Sequence, residues 1–252
     1  MDIQGKKVVV VGGASGMGRA TAEAAARAGA QVIILDRPSS DGAEVAKGIN
    51  AGFLPVEVTD FEGTEKTLTD AVEQLGGLHV VVTTAGGGIG KRTLAKEGPH
   101  DLESFRQVLD LNTVATFNIS RLAAAHMSRN EPEDDERGVI INTSSIAAFE
   151  GQIGQVAYTA AKAAIAGMCL TMARDLGTVG IRVLAIAPSL FSTGITSMIP
   201  DDWAAKLTEG NAFPKRMGRP EEYAKLALAI VDNPMLNGQC LRLDAGMRFA
   251  PK

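Results

Sequence analysis

The sequence predicts an α/β fold: a doubly wound, mostly parallel sheet with helices on both faces. Three observations predict it. Short β-branched apolar runs alternate along the chain with longer stretches of helical spacing, the pattern of βαβ crossovers. The first run, Val8-Val9-Val10-Val11, is apolar at every position, as a strand buried on both faces must be, and it enters a glycine turn followed by a helix. The second, Gln31-Val-Ile-Ile-Leu35, ends on an acid, Asp36.

The elements follow in order. A strand near 7–12 leads into Gly12-Gly13-Ala14-Ser15-Gly16-Met17-Gly18, and an Ala-rich helix occupies about 16–28. Strand, glycine turn and helix in that order aim backbone N–H groups and a helix N-terminus at a phosphate. The spacing is G-x-x-x-G-x-G, not the commoner G-x-G-x-x-G. A second strand, 31–36, brings Asp36 to where an acid can accept hydrogen bonds from an adenosine ribose. Further strands are expected near 53–58, 79–84, 138–143, 182–187 and 239–243, and helices near 40–49, 62–75, 102–129, 156–176, 202–210 and 220–232. The acidic run Glu131–Glu136 reads as a solvated loop, and no linker or repeat divides residues 1–252, so one dinucleotide-binding and catalytic domain is expected.

The segment Ser145–Lys162 carries the chemistry. Ser145 precedes Tyr158 by thirteen residues, and Tyr158 precedes Lys162 by four, one turn along the same helix face. An ammonium beside a phenol favours the phenolate, so Tyr158 is expected to titrate below its usual range and to serve as a general acid/base. Ser144 beside the site reads as a strand-end hydroxyl that satisfies local backbone.

Composition narrows the classes. A chain of 252 residues, 45% hydrophobic with mean hydropathy +0.07, can bury a large core. A net charge of −4 argues against nucleic acid or an anionic membrane as partner. The start lacks a basic region followed by an apolar run, and no uninterrupted apolar run approaches the roughly 20 residues of a membrane helix, so a cytoplasmic location is expected. Cys169 and Cys240 have no paired or metal-ligand spacing, and His79, His100 and His126 are scattered; no metal site is expected.

The glycines, Asp36, Asn112, the Ser145/Tyr158/Lys162 set and Pro188 together resemble the short-chain dehydrogenase/reductase family over nearly the whole chain. Within it, Arg137–Thr143, Ala147–Gly154, Ala173–Leu176 and Arg242–Gly246 are similar to the type II 3-hydroxyacyl-CoA dehydrogenases, also described as 17β-hydroxysteroid dehydrogenase type 10. The resemblance implies a Rossmann-type sheet of strand order 3-2-1-4-5-6-7, an NAD cofactor, a small acyl-CoA substrate and a homotetramer. The tetramer would pack small residues of the Tyr158–Leu176 helix, with Arg121–Met127, against other subunits. It implies that Tyr158 exchanges the proton, Lys162 depresses the tyrosine and holds the ribose, Ser145 holds the substrate oxygen, and Asn112 holds a water in a proton relay. Cofactor contacts would come from Gly12, Ser15, Gly16, Met17, Gly18, Asp36, Arg37, Glu57, Val58, Thr84, Ala85, Gly86, Tyr158, Lys162, Pro188, Phe191 and Thr193. Gln152 would reach the substrate thioester or be a plain loop glutamine, and 191–213 would be a substrate lid or a surface helix with Trp203 packed beneath it.

Four places depart from the family pattern: Val11 for a threonine, Glu57-Val58 for Asp-Val, Thr83-Thr84 for two asparagines, and Ser189 for a glycine. They bear on cofactor affinity more than on reaction type. A 3-oxoacyl-(acyl carrier protein) reductase, a steroid or other alcohol dehydrogenase, and a non-catalytic nucleotide-binding scaffold stay open as alternatives.

Overall fold

The computed structural model describes residues 1–194 and 200–251. In chain order its strands are Lys7–Val11 (β1), Gln31–Asp36 (β2), Gly52–Pro55 (β3), Val80–Thr83 (β4), Leu94–Ala95 (β5), Gly98–Pro99 (β6), Gly138–Thr143 (β7), Ile181–Pro188 (β8) and Cys240–Leu243 (β9). Its helices are Gly16–Arg27 (α1), Gly42–Gly48 (α2), Phe61–Leu75 (α3), Leu102–Leu109 (α4), Ala115–Met127 (α5), Val156–Leu176 (α6), Asp201–Leu207 (α7) and Pro220–Asp232 (α8). Seven strands form one parallel sheet in the order β3-β2-β1-β4-β7-β8-β9, the expected order.

Alternation within β1 divides the core. Val9 and Val11 face one cluster with Leu68 of α3 and Ile119 of α5, while Val8 and Val10 face the other with Ala22 of α1 and Tyr223 of α8. All four valines are at most 1% exposed, and burying each such side chain is worth about 1.5–3 kcal/mol. The sheet is therefore covered on both faces, and a ligand is left the crevice beyond the carboxyl ends of the strands. The strand order reverses between β1 and β4, which places that crevice over the glycine turn.

Three departures from expectation have physical causes. β3 stops at Pro55, not near 58, because its partner β2 runs out at Asp36; Val56 N donates to the Asp36 carbonyl as the chain leaves the sheet. The single helix expected over 102–129 is broken by a π-helical turn, Asp110–Val114, centred on the fully buried Asn112. A small antiparallel hairpin, β5–β6, precedes α4, whose N-cap Asp101 accepts from Ser104 N at 2.7 Å and pairs with Lys91. Of the expected lid, residues 195–199 lie outside the described residues. Trp203 on α7 is 60% exposed, so it is not packed beneath that helix.

Candidate active site

The outer part of the crevice is a cleft of about 510 Å³ lined by the glycine turn, Asp36, Arg37, Val56, Glu57, Val58, Thr84–Gly86 and Thr193. Its shape depends on absent side chains. Gly12 has φ +82°, and a Cβ there would lie 2.6 Å from Ala85 N; a Cβ on Gly18 would run into the Gly12 carbonyl. Ser15, the N-cap of α1, makes no side-chain cap bond, which leaves the first-turn amides of α1 facing the cleft. Asp36 closes one end. Ala14 N donates to its Oδ2 at 2.8 Å and Arg37 N to its Oδ1 at 2.7 Å, fixing a carboxylate that still has lone pairs to offer. Open helix amides for a pyrophosphate and a fixed acid for a ribose fit a nicotinamide dinucleotide.

The departures near the turn compensate one another. Val11 lacks a hydroxyl, but Thr84 Oγ1 donates to the Val11 and Gly12 carbonyls, each at 3.1 Å, and ties β4 to the glycine turn. Glu57 Oε1 accepts from Thr59 Oγ1 at 3.3 Å, so this longer acid turns back on its own loop. Ser189 N donates to the Leu243 carbonyl at 3.1 Å, anchoring the chain after Pro188 on β9.

An inner cleft of about 230 Å³ continues from this one under Ser145, Tyr158, Lys162, Pro188 and Ser189. Phe191 and Thr193 border it; the Phe191 ring packs over Gly218, where a Cβ would come within 2.6 Å. Ser145 stands at the end of β7 and caps the short 3₁₀ turn Ile146–Ala148, its Oγ accepting from Ala147 N at 3.1 Å. Its hydroxyl and the Tyr158 phenol both line this cleft, the serine near enough to favour the phenolate slightly. Lys162, one turn beyond Tyr158 on α6, puts Nζ 5.6 Å from the tyrosine ring centre and donates to the Thr143 carbonyl at 2.9 Å. Ser144 Oγ donates to the Lys162 carbonyl at 2.8 Å, a local satisfaction as expected.

The electrostatics correct one expectation. Burial raises the Tyr158 phenol above its usual range, and the neighbouring Ser145 hydroxyl only partly offsets this. Burial also lowers Lys162 to about 8. The lysine donates to the Thr143 carbonyl, and burial, not its charge, sets the direction of the phenol's shift. Tyr158 is therefore protonated at neutral pH, the form a proton donor needs.

Asn112 braces the backbone on either side of it. Its Nδ2 donates to the Gly87 carbonyl at 2.7 Å and the Val108 carbonyl at 2.8 Å, and its Oδ1 accepts from Gly87 N at 3.2 Å. Both amide protons are committed to backbone, so none is left for a water. The side chain instead holds the Gly86–Gly88 run against the site. Gly88 lies under the Tyr158 ring, where a Cβ would come within 2.9 Å of the ring edge. Gly88 and the π-turn were missed in the sequence; the unbroken Gly86-Gly87-Gly88-Ile89-Gly90 stretch was the available signal. Gln152 lies outside the inner cleft, its Nε2 donating to the Ala250 carbonyl at 3.2 Å, and it lines a neighbouring depression with Leu94, Ile153 and Thr159.

A parallel doubly wound sheet with this turn and this triad defines a dinucleotide-dependent oxidoreductase. The family model for short chain dehydrogenases matches residues 6–203, and the chain belongs to that family. It is 48% identical over 248 residues to a 3-hydroxyacyl-CoA dehydrogenase type-2 from Drosophila melanogaster, covering 96% of this chain and 97% of that one. The crystal structure of a 3-hydroxyacyl-CoA dehydrogenase type-2 from Mycobacterium avium superposes with TM-score 0.93 at 39% identity, covering 98% of each chain. A 7α-hydroxysteroid dehydrogenase complexed with NADH and 7-oxo glycochenodeoxycholic acid superposes with TM-score 0.89 at 27% identity over 99% of this chain and 97% of that one. The protein is an enzyme that uses a nicotinamide cofactor on a small-molecule substrate.

Proposed function

We propose that this protein is an NAD(H)-dependent dehydrogenase interconverting a short-chain 3-hydroxyacyl-CoA and its 3-oxoacyl-CoA. One observation carries the chemistry: a serine hydroxyl and a protonated tyrosine converge on the inner cleft, with a lysine buried beneath. Both can address one substrate oxygen. The nicotinamide supplies hydride transfer when bound. Tyr158 donates a proton to the ketone oxygen during reduction and takes it back from the hydroxyl during oxidation. Ser145 orients that oxygen and stabilises its developing charge. Lys162, in its charged form, favours the phenolate that remains and can donate to the ribose.

Asp36 supports NAD(H) over NADP(H). Like unit charges about 5 Å apart repel by about 3 kcal/mol at an effective dielectric of 20, roughly a hundredfold, so a 2′-phosphate beside this carboxylate would be disfavoured. Arg37, exposed beside it, offsets part of this. The acyl-CoA assignment is supported by relatives of that name matching nearly the whole chain. A homotetramer is supported by an open face on α6, where Gly167 has nothing within 4 Å of a built Cβ and Leu170 is 48% exposed. Phe117 on α5, 46% exposed, adds to the apolar surface.

The test is a substrate panel: acetoacetyl-CoA, a 3-oxoacyl-carrier-protein and a keto steroid, each with NADH and NADPH. The reading expects acetoacetyl-CoA with NADH to give the highest kcat/KM. A rival substrate at least tenfold better, about 1.4 kcal/mol of transition-state stabilisation, would overturn it.

A further inference from the structure

The loop at 149–154 leaves Ser145 through the 3₁₀ turn and lines a depression shared with Val156, Thr159 and Ala160, the α6 residues flanking Tyr158, and its backbone is held from two sides. On one side Lys91 N donates to the Gly154 carbonyl at 2.8 Å. On the other, the segment after β9 lies along it: Ile153 N donates to the Pro251 carbonyl at 3.2 Å, and Phe249 N to Glu150 Oε2 at 3.0 Å. At the junction sits Arg242, from β9. Its Nη1 pairs with Glu150 Oε1 at 2.8 Å, its Nε with Asp244 Oδ2 at 2.6 Å, and its Nη2 donates to the Met247 carbonyl at 3.0 Å. The guanidinium also lies 5.5 Å from the centre of the Phe149 ring.

One planar fork thus grips the loop through an acid and a ring, and the following segment through an acid and a carbonyl. A lysine has no such fork. The Arg242 and Glu150 side chains are only 24% and 20% exposed, so solvent screens their attraction less than it does a surface pair. None of these residues lines the cofactor cleft, whereas the loop they hold lines the depression next to Tyr158.

We propose that the Arg242–Glu150 pair is a positioning device for the substrate-side wall: it docks the segment after β9 on the loop following Ser145 and so sets the affinity for the ketone substrate. This rests on the reading that the ketone binds between Ser145 and Tyr158. Arg242→Met keeps the apolar stem and removes the fork; Arg242→Lys keeps the charge. Three quantities are read in each: the NADH dissociation constant by fluorescence titration, KM and kcat for the ketone, and hydrogen–deuterium exchange in the peptide spanning 146–154.

Arg242→Met is expected to raise the ketone KM tenfold or more, to leave NADH affinity within twofold of wild type, and to speed exchange in the peptide. Arg242→Lys is expected to fall between. A ketone KM within twofold of wild type overturns the proposal, as does an NADH affinity that falls in step with KM, the mark of a general structural loss. If Arg242→Met does not fold, Glu150→Gln, which keeps an acceptor for Phe249 N, gives the same readings. If the wild type reduces none of the ketones tested, the functional reading fails separately; the exchange data then decide the clamp, faster exchange supporting it and unchanged exchange overturning it.

Discussion

Replacing Asn112 with alanine removes three hydrogen bonds at the point where the π-turn meets the glycine run after β4. The Val108 carbonyl faces the fully buried side-chain position, and leaving such a group short of a donor costs about 1–3 kcal/mol. The two bonds to Gly87, at 2.7 and 3.2 Å, are half-buried and contribute about 0.5–1.5 kcal/mol each. The sum centres on about 4 kcal/mol, and for a chain of this size each 1 kcal/mol moves the melting temperature by roughly 2–4 °C, so a fall of about 8–16 °C is expected. Thermal unfolding at matched protein concentration measures it. Asn112→Asp should fall as far, because a carboxylate in place of Nδ2 would face two carbonyls without a proton. NADH affinity and kcat should drop together in both, since Gly86 and Gly88 lose their brace beside Lys162 and Tyr158. A shift below about 2 °C in both variants would refute this account of the π-turn.

Asp36→Ser should narrow the NADH:NADPH ratio of kcat/KM by roughly a hundredfold, the size of the repulsion it removes; an unchanged ratio would assign cofactor choice elsewhere. Because burial lowers Lys162 to about 8, the free enzyme loses this charge as pH rises through 8. The kcat/KM for NADH, which reports groups of the free enzyme, should therefore fall above that pH, and Lys162→Arg should move the fall upward. Gly18→Val should abolish NADH binding in a protein that melts at lower temperature, since its side chain would meet the Gly12 carbonyl. Light scattering should give a mass four times the 26.3 kDa chain; only a 26.3 kDa species at micromolar concentration would rule out the oligomer.

Much of this molecule is legible in its sequence for simple reasons. Val8–Val11 and Val80–Val82 can be nothing but strands buried on both faces, and Tyr158 and Lys162 must share a helix face at four-residue spacing. What escaped notice depends on partners distant in the chain. The π-turn is stabilised by Gly87, twenty-five residues before Asn112, and no local periodicity signals a one-residue slip in a helix ladder. The direction of the tyrosine shift was misjudged because spacing reports proximity but not burial, and here burial outweighs the neighbouring charge. The contact between Gln152 and Ala250 spans ninety-eight residues, and a loop glutamine offers no sign of which side it faces.

Replacing Tyr158 with phenylalanine tests the central claim most directly. The substitution removes one hydroxyl from a side chain whose ring remains packed on Gly88, so the cofactor cleft should survive. Single-turnover reduction of acetoacetyl-CoA by enzyme preloaded with NADH isolates the chemical step. The account predicts NADH affinity within about threefold of wild type and a rate lower by roughly 10²–10⁴-fold, the usual worth of a positioned acid. A Tyr158→Phe enzyme that binds NADH and keeps half the wild-type rate would contradict it.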